Sequence, residues 1–488
     1  MLGVFDDLSS HAFNSLTINN ERVTKGSDEV FMTPFMKKVP DDTIFKAIEE
    51  ILSNVELTPK LREIEDENRE RFGPRSIAIP WSERKESLSD YFFDESTFQA
   101  EVDAPAGKLR PLSLPEAGKR LIASSSAGLP YMERKGKVLH EAIESQEEQA
   151  GTYPCVLYTR TQEGTKTRNV WGFPISDTLA EQRFATPFIQ REKELDWRSA
   201  LLGPDLVDVA ITNLLRAKRV EEMVYCVDFR GFDSSVHPRH SLGAFRRICG
   251  WFQPRYHGEI SQLCTRFVTI PVWTPDGEWQ GVHGVPSGST FTNTVDSLVQ
   301  AAIADRIDDD GFSQGRPFQV QGDDGVYLVA ADGLEQFTKL FEQEGFELNH
   351  DKTEKFETEE ATYLQRYYHP MYHDGRGTYG GVYSLYRAAH RIKYLERWTD
   401  FAREGITGDD FFSLRTIMIL ENCKHHPGFE QFVRYAHTLD RRGLSYSGAG
   451  VRAYSRSLES RARAGVLAAT NFQEGLSSFA TVKALAGL

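Results

Sequence analysis

Met223-Val224-Tyr225-Cys226-Val227 is a five-residue apolar run of strand type. It empties directly into a carboxylate, Asp228, with a second acid five positions later at Asp233. Further along, Phe318-Gln319-Val320-Gln321 and Val326-Tyr327-Leu328-Val329 are two short strand-like runs flanking Gly322-Asp323-Asp324-Gly325. The pattern predicts a β-hairpin with an Asp-Asp tip, its glycines permitting the positive φ of a tight turn. If the strand ending at Asp228 lies beside that hairpin, Asp228, Asp323 and Asp324 converge at one edge of one sheet. Carboxylates so gathered repel one another, and divalent cations relieve the repulsion most simply. Hard oxygen ligands of this kind suit Mg²⁺ or Mn²⁺, and two such ions about 3.5–4 Å apart clamp the attacking and leaving oxygens of a phosphoryl transfer. Singly, an Asp at a strand end is a turn or cap residue and Gly-Asp-Asp-Gly a surface hairpin tip; the combination in this order is far more restrictive.

Around this mixed α/β centre the chain changes character. Thr43 to Asn54 reads as a helix, and Leu61 to Arg71 as a solvated helix face or exposed connector that carries no chemistry. From Leu109 to Trp171, Gly, Ser and Pro punctuate short apolar runs, with basic residues at Arg134, Lys135, Lys137, Arg160, Lys166 and Arg168. A helix is predicted over Phe291 to Ala304, burying Val295, Leu298, Val299 and Ile303, and another over Leu334 to Glu344, stopped by Gly345. After about Arg387 the text turns helical and basic, as in Ala388 to Arg403 and Ser455 to Thr470. Its basic sides are Arg387, Arg391, Lys393 and Arg397, then Arg452, Arg456, Arg461 and Arg463. They read equally as a phosphate-contacting surface and as a salt-bridged helical face.

Lys and Arg number 57 against 71 Asp and Glu, a formal charge of −14. That balance argues mildly against a nucleic-acid partner, but an acidic exterior can coexist with a basic tunnel, whose local field is what steers a phosphate backbone. No stretch reaches the roughly 18 apolar residues of a membrane span, and the first residues lack a leader's basic and apolar regions, so a cytosolic or enclosed protein is expected. Cys155, Cys226, Cys249, Cys264 and Cys423 form no C-x-x-C pair and read as reduced core thiols. His369, His373, His425 and His426 lack the spacing of a structural zinc site.

Taken together the segments resemble the viral RNA-dependent RNA polymerases. Asp228-Phe229-Arg230-Gly231-Phe232-Asp233 is similar to their first palm motif, Gly284-Val285-Pro286-Ser287-Gly288-Ser289 with Thr292 to the second, and Gly322-Asp323-Asp324 to the third. Gly345 to Thr353 resembles the fourth and Tyr363-Leu364-Gln365-Arg366 the fifth, a hairpin near the primer end. Upstream, Ser126-Ala127-Gly128-Leu129-Pro130-Tyr131 resembles the motif at which template enters, and Thr159 to Arg168 the basic fingertip motif. The wording Gly-Val-Pro-Ser-Gly-Ser-Thr-Phe-Thr is most similar to the small segmented double-stranded RNA viruses, picobirnavirus first and partitivirus next.

The resemblance implies an α+β fold, a closed right hand of fingers, palm and thumb, with an antiparallel palm sheet and a helical thumb. Its expected divisions are an N-terminal extension at 1–70 linking fingers and thumb, fingers at 71–220, palm at 221–240, a fingers insert at 241–283, palm at 284–385, and thumb with C-terminal tail at 386–488. It implies two Mg²⁺ ions, replaceable by Mn²⁺, on Asp228 and Asp323 with Asp324 in support, and Lys352 as acid to the leaving pyrophosphate. Arg160, Lys166 and Arg168 would grip the incoming triphosphate. Asp233, Ser287, Gly288, Thr292, Asn293 and Asp296 would contact the nucleotide, and Ser126, Gly128, Pro130 and Arg366 the template or primer. Partners implied are template RNA, duplex product, NTPs and a viral capsid protein, without a membrane, inside the particle and the host cytoplasm. At the position of Asp296 many positive-strand RNA virus polymerases carry an Asn that helps read the ribose hydroxyl. A carboxylate there repels Asp233, so Asn293, or a protonated or cation-bridged acid pair, takes over the reading. Rival readings are a reverse transcriptase, disfavoured by the small Asp233 where such enzymes place an aromatic sugar gate, and a non-catalytic RNA-binding scaffold. The final segment, 477–488, either plugs the cleft or frays.

Overall fold

The apolar run does form a strand, Glu222–Val227, and alternation explains why it is apolar throughout. Tyr225 and Val227 point into one core with helices Thr292–Ile303 and Leu334–Gln343, while Val224 and Cys226 point into another with helix Pro204–Arg216. Both faces are covered, as in any central strand without a polar side. The computed structural model describes residues 8–463 and 475–488. Its central sheet is antiparallel, ordered Glu354–Phe356, Glu222–Val227, Asp324–Ala330, Phe318–Gln321. The hairpin is tight: Gln321 pairs with Asp324, so the turn is Gly322-Asp323 with Gly322 at φ +65°. Val227 lies opposite Gly325, which brings the end of the 222–227 strand beside that turn.

A second sheet runs Thr167–Gly172, Cys155–Thr161, Val272–Thr274, Gly277–Trp279. The segment 286–288 presses against its first strand. A Cβ on Gly288 would stand 1.6 Å from the Trp171 carbonyl oxygen, so only glycine fits.

Helices Leu385–Lys393, Gly408–Glu421, Phe429–Leu439 and Ala480–Leu485 share a core with the N-terminal helix Asp41–Ser53. The N-terminal region bridges the molecule. Helix Ser10–Lys25 lies on the second sheet, where Asn19 Nδ2 donates to the Leu157 carbonyl at 2.9 Å, while Phe31–Met32 pairs antiparallel with Tyr394–Leu395.

Four sequence expectations are corrected here. The helix expected over Ala388 to Arg403 ends at Lys393, because Tyr394-Leu395 is captured as a strand by Phe31-Met32. The helix expected from Ser455 begins at Gly448; the part beyond Arg463, and the side chains of Arg461 and Arg463, lie outside the described residues. Helix Pro59–Glu70 is solvated on one face only: Leu61, Glu65 and Asn68 are buried. The 477–488 segment neither plugs nor frays; its helix Ala480–Leu485 docks on Glu421, which accepts the Ala480 and Thr481 N–H groups at 3.1 and 2.9 Å.

All five cysteines are buried and unpaired. His425 and His426 face Asp208 and Glu65 at 3.2 and 3.1 Å. Among the described residues no helix is long and apolar enough to cross a membrane.

Glu65 is fully buried and accepts from the Ser384 hydroxyl at 2.7 Å and from the N–H groups of Leu385 and Tyr386 at 2.8 and 3.2 Å, the cap and first turn of helix Leu385–Lys393. Glu65→Ala strands those donors, and about 2–4 kcal/mol of stability should be lost. Urea or thermal unfolding reads this directly; a change under about 0.5 kcal/mol would mean the carboxylate carries little weight.

Candidate active site

Asp228 sits where the central strand ends and is tied in place by the turn that follows Leu348. Its N–H donates to Thr353 Oγ1 at 3.2 Å, its carbonyl accepts the Asn349 N–H at 2.8 Å, and its carboxylate accepts from Asn349 Nδ2 at 3.0 Å. Asp323 occupies the hairpin turn, with its carbonyl held by Gln300 Nε2 at 3.0 Å. Asp324 begins the return strand.

The acids sense one another. Burial raises Asp323, Asp228 adds to the rise, and Arg168 and Lys166 oppose it. Asp324 is pushed up to about 7 by burial and then by Asp323 and Asp228. Asp233, on the short helix Phe232–Ser235, is raised to about 6 by burial and Asp323 against the pull of Arg168. Asp296 is raised well above the carboxylate range by burial, Asp233 and Asp323, and its Oδ1 is buried without a hydrogen-bond partner. Among the described residues no three His, Cys, Asp or Glu side chains close on one point as a preformed metal centre. The donor set nevertheless fits a divalent cation: all oxygen, and gathered so that the carboxylates repel one another unless a cation lies between them.

Opposite stands a basic hairpin. Its strands are Cys155–Thr161 and Thr167–Gly172, in which Arg160 and Arg168 are directly paired and therefore share a face. Lys166, at the turn, is lowered by burial and by Arg168 and Lys352, while Asp228 and Asp323 pull it back, which sets all five charges in one neighbourhood. Arg160 faces Glu396 at 3.8 Å. Glu163, in the same turn, faces Arg75, Arg387 and Arg391 at 3.7, 3.5 and 3.8 Å, and Lys393 pairs with Asp41. The basic helix at 385–393 is therefore a salt-bridged closure onto the hairpin.

The 286–292 segment is more structural than its sequence suggested. Ser287 Oγ donates to the Asn169 carbonyl at 3.4 Å, Gly288 abuts Trp171, and Thr292 Oγ1 donates to the Pro286 carbonyl at 2.8 Å. Asn293 Oδ1 accepts from Arg198 at 2.9 Å. Ser126 Oγ bonds Tyr158 OH at 2.8 Å, and Gly128, at φ +64°, packs beneath the Phe173 carbonyl ahead of Pro130. Arg366, in the hairpin Ala361–Tyr363 and Arg366–Tyr368, donates to Asn422 Oδ1 at 2.8 Å and to the Gly381 carbonyl at 3.3 Å, so its guanidinium joins the central region to the C-terminal helices. Lys352 is exposed on the turn after Asn349.

Sequence reasoning missed Glu181, Glu192 and Arg198. Glu181 takes the Ser289 hydroxyl and the Thr290 N–H, both at 2.7 Å, while Glu192 and Arg198 are fully buried behind the acidic turn. Nothing in Leu195-Asp196-Trp197-Arg198 separates a buried arginine from a surface one.

A family model described as viral RNA-dependent RNA polymerase matches residues 95–378. The chain is 27% identical over 447 residues to the potential RNA-dependent RNA polymerase of human picobirnavirus (strain Human/Thailand/Hy005102/-), covering 85% of this chain and 83% of that one. It is 26% identical over 212 residues to the RNA-directed RNA polymerase of Cryptosporidium parvum virus 1 (strain KSU-1), covering 39% and 40%. Among solved structures it superposes on the RNA-dependent RNA polymerase of a human picobirnavirus with TM-score 0.79 at 23% identity, over 98% of this chain and 99% of that one. An insertion-loop deletion mutant of that polymerase gives 0.78 at 24% identity over the same shares. The expected right-hand polymerase fold is borne out.

With EDTA present, melting temperature should fall as pH rises from about 4 to 7. Unfolded carboxylates titrate near 4, whereas Asp233 and Asp324 hold protons to about 6 and about 7 in the folded chain. In that window the folded state binds more protons, so stability declines with pH. Asp324→Asn should gain on the unaltered chain across the window and then level off; parallel curves in scanning fluorimetry would contradict the clustering of charge.

Proposed function

The chain belongs to the viral RNA-dependent RNA polymerases and synthesises RNA on an RNA template, and from this we propose how its residues divide the chemistry. Asp228 and Asp323, supported by Asp324, would hold divalent magnesium, or manganese in its place. When bound, such ions lower the pKa of the attacking hydroxyl and neutralise charge on the phosphates. Lys166 and Arg168, with Arg160 beside them, bind the triphosphate of an NTP, the arginines in bidentate fashion and the lysine as a point charge. The primer 3′-oxygen bonds to the α-phosphorus and loses its proton, the α–β bridging bond breaks, and Lys352 gives a proton to the departing pyrophosphate. Asp233 and Asn293 read the ribose, with protonated Asp296 behind them. Ser287, Gly288 and Thr292 shape that wall, and Ser126, Gly128 and Pro130 guide the template.

The observation that carries this reading is the meeting of Asp228 and the Asp323-Asp324 turn at one sheet end, within the field of Lys166 and Arg168. The palm is assigned to 221–240 and 284–385, fingers to 71–220 with the insert 241–283, thumb and tail to 386–488, and the linking extension to 1–70. Duplex product leaves past the thumb. A viral capsid protein as partner, and residence in the particle and host cytoplasm, follow from kinship with picobirnavirus.

The test is incubation with single-stranded genomic RNA, NTPs and Mg²⁺, then sizing of the product. Template-length duplex is expected from NTPs and not from dNTPs, which separates this reading from reverse transcription. Asp228→Ala and Asp323→Ala should melt as folded proteins yet lose about 10³-fold or more of incorporation. Arg168→Ala should raise the NTP KM and lower kcat, each by about tenfold. Comparable activity in either aspartate variant would move the catalytic centre elsewhere.

A further inference from the structure

Arg198 and Glu192 ion-pair at 3.2 Å with neither side chain exposed. A pair this deep is expensive to desolvate, and it persists only where further hydrogen bonds satisfy it. Here those bonds run to the two elements that carry the site. Arg198 Nη1 donates to Ser297 Oγ at 2.5 Å, to the Val320 carbonyl at 3.2 Å and to Gln321 Oε1 at 2.8 Å. Its Nη2 donates to Asn293 Oδ1 at 2.9 Å. Ser297 Oγ in turn accepts the N–H of Gly322 at 2.8 Å and donates to the Asn293 carbonyl at 2.7 Å. Glu192 Oε2 accepts from Thr294 Oγ1 at 2.8 Å, so the anion grips the same helix. One cation thus joins helix Thr292–Ile303 to the strand and turn that end in Asp323.

The chemistry of this contact decides how Asn293 is presented. A guanidinium has donors only, so the amide must turn its oxygen toward Arg198, leaving Nδ2 on the other side. That nitrogen stands 3.3 Å from the point a Cβ on Gly322 would occupy, facing the acid-bearing turn. Without the guanidinium the amide is free to flip and offer an acceptor where it now offers a donor. A 2′-hydroxyl is what distinguishes the ribonucleotide, and it is read by fixed donors and acceptors. An amide of settled orientation is such a group.

We propose that Arg198, braced by Glu192, is a positioning residue: it orients the Asn293 amide and holds its helix in register with the Gly322-Asp323 turn, and so sets the preference for ribonucleotides over deoxyribonucleotides. This rests on the reading of Asn293 as a nucleotide contact given above.

The test is single-nucleotide incorporation by the full chain with Mg²⁺, comparing kcat/KM for an NTP and its matching dNTP. Arg198→Lys keeps the charge but loses the fork that reaches Asn293, Ser297 and Gln321 together, and should lower the NTP-to-dNTP ratio about tenfold. The loss should appear mainly in NTP kcat. Asn293→Ala should lower the ratio comparably, and the double variant should lose no more than either alone, because both act through one amide. Ser297→Ala removes a single hydroxyl from the link to Gly322 and serves if the arginine variant does not fold; it too should lower the ratio. A ratio unchanged in Asn293→Ala, or unchanged in whichever of the other two folds, overturns the proposal while normal NTP incorporation leaves the polymerase assignment standing. Failure of the unaltered chain to incorporate NTPs overturns the functional reading and the inference with it.

Discussion

Like charge gathered at one sheet end is the constraint on which the rest of this molecule depends. The ladder puts Asp228 beside the Asp323-Asp324 turn, Asp323 sits close enough to raise both Asp233 and Asp296, and Asp233 raises Asp296 further. Left alone, such a cluster would push the strands apart. The surrounding structure opposes that with positive charge from Arg168 and Lys166 on one side and Arg198 on the other. It also opposes it mechanically: Asn349 and Thr353 pin Asp228, Gln300 pins Asp323, and Ser297 pins Gly322. The site is held together by elements that gain nothing from it themselves.

Closure of the hand follows from contacts of a different kind. Gly288 lets the backbone of the 286–288 segment lie against Trp171, joining the two sheets without a side chain between them. Glu163 gathers Arg75, Arg387 and Arg391, so the tip of the basic hairpin is neutralised on the C-terminal helices while Arg168 and Lys166 stay turned to the acids. Arg366 makes a second tie, to Asn422. Charges that read alike in the sequence are thus divided between structure and chemistry by which partner each one meets.

The legible part was whatever depended on local pattern. The central strand, the Gly322-Asp323 turn and the 292–303 and 334–343 helices all follow from period and turn chemistry, while the hairpin at 361–368 was expected from the family resemblance alone. What escaped depended on distant partners. The helix after Leu385 ends early because a strand from the N-terminal region claims Tyr394 and Leu395. Helix Pro59–Glu70 looked wholly solvated because the buried Glu65 reads like its exposed neighbours. In the site, the acids announced themselves by spacing, whereas Glu192 and Arg198 gave no local sign because their significance lies in Asn293, Ser297 and Gly322, remote in sequence.

The pairing of Phe31–Met32 with Tyr394–Leu395, with Thr33 on Ile392, Asp41 on Lys393 and Glu65 on Ser384, also dictates an order of assembly. A ribosome releases the early segment long before its docking surface exists; at about 5–20 residues per second the wait is on the order of tens of seconds. The first helices must therefore stay unclaimed, or sheltered by other proteins, until the chain has been made as far as Leu395. Docking of the early segment is then a late event, coupled to synthesis of the strand at 394–395.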